Sequence, residues 1–149
     1  MNYNDSTPSP YQSAQPGRRA PLRWSLIILL GAFALIRPLL HITGITAEDG
    51  GVPAGIAAIG ATLVISIVWI LTVVLTRAER PFLTLVLAAL VYAVLSMVLS
   101  APLSLIIDGE LQGPFAQPIA IPAVLITNAV WGAITGGIAW LISAALGRN

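Results

Sequence analysis

Apolar residues in this chain fall into four long runs rather than alternating with polar ones. The runs cover residues 25–45, 53–76, 82–107 and 118–146. A helix needs about 20 mainly apolar residues to cross a hydrocarbon core of about 30 Å, and each run is long enough. Each charge at mid-bilayer costs about 2.5–3.5 kcal/mol, so an uncharged run of this length is informative. The second, third and fourth runs contain no Asp, Glu, Lys, Arg or His, whereas the first carries Arg37 and His41. The pattern predicts an all-α fold: a four-helix transmembrane bundle with both ends on the inner side and a disordered N-terminal tail.

Composition strengthens that reading. Of 149 residues, 57% are hydrophobic and 9% are charged. Soluble domains carry about 25% charge, so this chain lacks the polar surface to cover a water-facing globule. The net charge of +1 gives no basic face for nucleic acid. Without cysteine, no disulfide, thiolate metal site or cysteine nucleophile can form. Residues 1–24 are rich in Pro, Ser, Gln and Asn, lack apolar content, and are expected to form a disordered cytoplasmic tail ahead of a membrane domain at 25–149. Three arginines precede the first run, but the tail is long for a signal peptide and the apolar run continues past the Ala32-Phe33-Ala34 site.

Orientation follows from the arginines. Arg18, Arg19 and Arg23 precede the first span, Arg77 and Arg80 lie between the second and third, and Arg148 follows the fourth. The other two loops carry Glu48, Asp49, Asp108 and Glu110 and no basic residue. Positive charge is retained on the cytoplasmic side, which predicts a multi-pass plasma-membrane protein with both termini cytoplasmic. Asp108 and Glu110 then sit at the outer mouth.

Chemistry is sparse. A single His, no Cys and no acid within any span leave no catalytic pair, no strong metal site and no buried carboxylate for proton coupling. No cofactor is expected, and no enzymatic activity. Arg37 lies about 20 Å along the first helix from Trp24, in the outer half of the bilayer. Pro38 follows it and is expected to disturb the helix, and His41 lies one turn on. Arg37 either snorkels outward, with Asp108 or Glu110 as a partner, or faces inward and holds an anionic group. Ser100, Ser104 and Asn128 lie at a similar depth. Arg37, His41, Ser100 and Asn128 form the candidate intramembrane polar site.

Small residues recur at helical spacing. Gly132 and Gly136 are four apart in the fourth span, and Ala54, Ala58, Ala57 and Ala61 form comparable rows in the second. Such rows let helix backbones approach closely, within one chain or between copies. The favoured expectation is therefore a non-enzymatic structural or interaction protein, partnered by the lipid bilayer and by itself or another membrane protein. A small oligomeric transporter or channel for an anionic or polar solute is one alternative. A lipid or cell-envelope assembly factor is another.

Three motifs, Arg37-Pro38-Leu39-Leu40-His41-Ile42-Thr43-Gly44, Gly109-Glu110-Leu111-Gln112-Gly113-Pro114 and Thr127-Asn128-Ala129-Val130-Trp131-Gly132, resemble those of small four-helix integral membrane proteins of actinobacteria. The resemblance covers most of the chain after the tail. It implies a bacterial plasma-membrane protein. That family has no assigned activity, so no functional residues are carried over.

Overall fold

A computed structural model describes residues 21–42, 54–107, 109–110 and 113–147. Residues 1–20 of the expected 1–24 tail, the Glu48–Asp49 loop, Asp108, Arg148 and the His41 side chain lie outside the described residues, and Trp24, the last residue of that tail, already opens the first helix. Within them every regular element is helical. The helices are α1 (Trp24–Phe33), α2 (Ile36–Ile42), α3 (Ala54–Leu75), α4 (Pro81–Ile107) and α5 (Ala120–Ala145), with a short 3₁₀ turn at Gly113–Phe115. Helices α3, α4 and α5 are each long and apolar enough to cross a membrane.

The first apolar run differs from expectation. As far as residue 42 it is not one helix but two short ones separated by a turn at Ala34–Leu35. Pro38 explains where the break falls. Proline has no N–H to give the carbonyl four residues back, and its ring crowds that carbonyl. That carbonyl belongs to Ala34, which instead accepts from the Arg37 N–H at 3.1 Å, while the Leu35 N–H turns to the Ala32 carbonyl at 3.0 Å. The disturbance therefore appears one turn before the proline.

Other ends follow ordinary helix chemistry. Pro81 opens α4, where a missing N–H is harmless. Pro122 lies in the first turn of α5 and breaks nothing for the same reason. At the end of α3 the Ala78 N–H bonds the Val73 carbonyl and the Arg77 N–H bonds the Val74 carbonyl, a Schellman closure. That closure puts Arg77 at a φ of 49°, in the left-handed region usually left to glycine.

Helix α4 is the spine: α1 and α5 pack along it and α3 leans mainly on α5. Glycine makes the close approaches. A Cβ on Gly132 would stand 2.9 Å from the Leu85 carbonyl oxygen, and one on Gly136 would stand 2.8 Å from that of Phe82. Gly31 on α1 is equally confined, 3.0 Å from the Ala88 carbonyl. The Gly132–Gly136 row thus faces α4 within the chain. Gly55 and Gly60 on α3 face open space instead.

Around this spine the outer faces are apolar. Ile59, Leu63, Leu71, Val98, Ile134 and Leu141 are all exposed, while small residues such as Ala88, Ala89 and Ala139 are buried. Contiguous apolar surface on this scale is unstable in water and stable against hydrocarbon.

Candidate functional site

Packing is uneven along the bundle. Toward the end carrying Arg23, Arg77 and Arg80, a core of Ile27, Leu30, Trp69, Val73, Leu85 and Ala89 is closed. Toward the other end α3 and α5 lose their buried positions. No α3 residue from Gly55 to Val64 is buried, and no α5 residue before Gly132. Helix α4 alone keeps a buried stripe there, through Ala93, Met97 and Ser104. The divergence leaves a cavity of about 560 Å³ between the helices. That volume falls within the range of small-molecule sites, about 300–1,000 Å³.

Two indoles form its floor and tie three helices together. The Trp69 Nε1–H donates to the Leu30 carbonyl of α1 at 3.0 Å. The Trp131 Nε1–H of α5 donates to Ser66 Oγ of α3 at 3.1 Å. The Ser66 hydroxyl in turn donates to the Thr62 carbonyl at 2.6 Å. In apolar surroundings such bonds have no water to compete with them, so each fixes an interhelical register. The Leu30 carbonyl also accepts the Ala34 N–H at 3.2 Å, so Trp69 grips α1 at the turn that precedes Arg37.

The walls are apolar with a set of polar groups that mostly donate. Arg37, which carries a guanidinium, and Tyr92 and Thr127, which carry hydroxyls, are among the lining residues. Asn128 gives one amide hydrogen to the Val124 carbonyl at 2.8 Å, which leaves the rest of its carboxamide for the cavity. Thr62 and Ser96 also line it, but their hydroxyls donate to the Ala58 and Ala93 carbonyls of their own helices. Among the described residues no Asp or Glu lines the cavity, and the Arg37 side chain has no hydrogen-bond or ion-pair partner. No buried side-chain nitrogen or oxygen there is left unsatisfied. The open valences of Arg37, Tyr92 and Asn128 therefore face accessible space. A lone guanidinium offers five N–H donors in a planar fork that matches carboxylate and phosphate oxygens.

The sequence-predicted residues divide. Arg37 and Asn128 line the same cavity. Ser100 does not, and Ser104 is buried against its own helix, bonding the Ala101 carbonyl at 3.0 Å. Glu110 is exposed near the start of the α4–α5 connection and makes no ion pair with Arg37. Sequence reasoning missed Thr62, Trp69, Tyr92, Ser96 and Trp131. The available signal was spacing: Thr62 and Ser66, Tyr92 and Ser96, and Thr127 and Trp131 each lie four apart, which stacks them on one helix face.

The cavity can hold and orient an anionic group. The described residues that line it include no acid–base pair, and no cluster among the described residues has the composition of a metal site. No protein-family profile, no curated protein and no solved structure matches this chain.

Proposed function

We propose that this is a multi-pass plasma-membrane protein, with both termini cytoplasmic, that binds an anionic group in the cavity among its helices. It acts as a carrier or a lipid-handling protein rather than as an enzyme. The observation that carries this reading is that Arg37, whose guanidinium is unpaired, lines a cavity to which no described residue contributes an acid. A membrane charge without a partner is expensive to keep, and a ligand charge offsets that expense. The alternative of an interaction protein working through small-residue seams loses its main surface, because Gly132 and Gly136 are occupied by α4. Orientation draws support from Arg23, Arg77 and Arg80, which the fold gathers at one end. The broken α1–α2 segment then serves as the remaining crossing, with Arg37 in its outer part.

Thermal unfolding of the purified protein tests this proposal. Soluble phosphate, a soluble carboxylate and an alkyl phosphate are each added, with an alkylammonium as control. At an anion concentration of 100 Kd the stabilisation is about 2.7 kcal/mol. At least one anion is expected to raise the unfolding temperature, and Arg37→Gln is expected to remove that rise. Equal shifts in the Arg37→Gln protein, or no shift with any anion, contradict the proposal.

A further inference from the structure

We infer that the occupant of the cavity is the anionic headgroup of a membrane amphiphile, a phosphate or carboxylate carried on an apolar chain, that reaches Arg37 through the side of the bundle. This deepens the anion-binding reading and rests on it. Three observations carry it.

The first is where the cavity opens. Arg37, Ile126, Thr127 and Val130 line it and are nevertheless exposed, Ile126 by 62% and Val130 by 53%. The opening lies at their level. On α5 the lining runs from Val124 to Trp131, four to eleven residues into the helix. None of the described end residues at 109–110 or 113–119 contributes to the lining. Lining this far along a helix long and apolar enough to span the membrane sets the mouth against hydrocarbon rather than at the aqueous end of the bundle. A free hydrated anion would have to shed its water in oil to arrive there, at a high desolvation cost. An amphiphile already resident in the leaflet slides in with its chain still in hydrocarbon.

The second is the division of the walls. Arg37 is at the exposed rim, and Asn128, Tyr92 and Thr127 add hydrogen-bonding groups. Ile65, Val124, Trp69 and Trp131 form apolar and aromatic surfaces beside them. One side suits an oxyanion and the other suits a chain. The third is the absence of any competing charge: no carboxylate among the described residues lines the cavity or pairs with Arg37. Arg37 is free to bind bidentately, the geometry guanidinium prefers with phosphate and carboxylate.

Trp69 and Trp131 make the test direct, because both indoles border the cavity. The full chain carrying Trp24→Phe and Trp140→Phe is placed in phosphatidylcholine nanodiscs, so that emission comes from these two. A brominated phosphatidic acid is compared with brominated phosphatidylcholine at equal mole fraction. The anionic lipid is expected to quench in excess of the neutral one. In Arg37→Gln, reaching half of that excess is expected to take about tenfold more anionic lipid, the loss set by a charge-assisted hydrogen bond. Arg37→Lys is expected to keep most of the excess, which separates loss of charge from loss of fold. Equal quenching by the two lipids, while soluble phosphate still raises the unfolding temperature through Arg37, overturns the amphiphile and leaves a soluble anion as the ligand. Equal quenching with no anion effect on unfolding overturns both readings.

Discussion

The two halves of the bundle use the same residue types to opposite ends. In the basic half, α5 approaches α4 through Gly132 and Gly136, closely enough that a Cβ would meet backbone oxygen. There Ile27, Val73 and Leu85 are fully buried. In the other half, α3 and α5 bury nothing from Gly55 to Val64 and from Ala120 to Trp131, and polar groups line the gap. Helices in lipid gain little from apolar burial alone, because acyl chains are as apolar as leucine. Close approach at glycine is then what joins helices, and wherever it stops they are free to part. The cavity begins where the glycine contacts end.

This contrast can be broken most forcefully from the close-packed side. Gly136→Val places a side chain against the Phe82 backbone and is expected to destabilise the fold by about 3 kcal/mol. Gly137→Val, one residue on and facing open space, is expected to change stability by less than about 0.5 kcal/mol. Denaturant unfolding in a mild detergent compares the two, and equal effects would show that the α4–α5 seam is not where the bundle is held.

A smaller effect is expected at the floor, where the halves meet. Trp69→Phe keeps an aromatic ring but loses the indole N–H bond to the Leu30 carbonyl and part of a buried side chain, for a loss of about 2 kcal/mol. The hydrogen-bond share of that loss stays modest because the carbonyl retains the Ala34 N–H. The same unfolding measurement is expected to show it, and an unchanged midpoint would mean that the indole does not hold α1 at its break.

Beyond the basic end of the core, Arg77→Gly is expected to stabilise by about 0.5–1 kcal/mol, since glycine removes the left-handed strain at the α3 terminus while adding unfolded-state freedom. A lowered unfolding midpoint would contradict that. The smallest effect belongs to the open half. Ser96→Ala is expected to shift stability by less than about 0.5 kcal/mol. Ser96→Phe fills the cavity and is expected to abolish the anion-dependent rise in unfolding temperature. Retention of that rise would place the anion elsewhere.

The three long helices were legible because nothing competes with an uninterrupted apolar run. Helix α3 runs Ala54–Leu75 against an expected 53–76, and α5 runs Ala120–Ala145 against 118–146. The broken first segment was legible only in part. Pro38 signals a disturbance, but the displacement falls on the carbonyl it cannot serve, four residues earlier at Ala34. The polar site was the least legible. Depth alone grouped Ser100 with Arg37 and Asn128, yet depth does not say which way a helix face points. Each step of four residues turns a helix by about 40°, so Ser100 is rotated away from Tyr92 while Ser96 still reaches the cavity. Gly132 and Gly136 could be read as a seam, but one sequence does not say whether the partner helix lies in the same chain.

Single cysteines provide the most direct test, because the chain has none of its own. Ser96→Cys and Thr62→Cys stand in the cavity, whereas Ala88→Cys and Ala139→Cys stand in the closed core. With a small uncharged disulfide reagent and mass detection, the two cavity thiols are expected to react in the folded protein and to slow when an anionic amphiphile is added. The two core thiols are expected to react only after denaturation. Equal protection of all four, or equal reactivity of all four, would contradict a bundle closed at one end and open around Arg37 at the other.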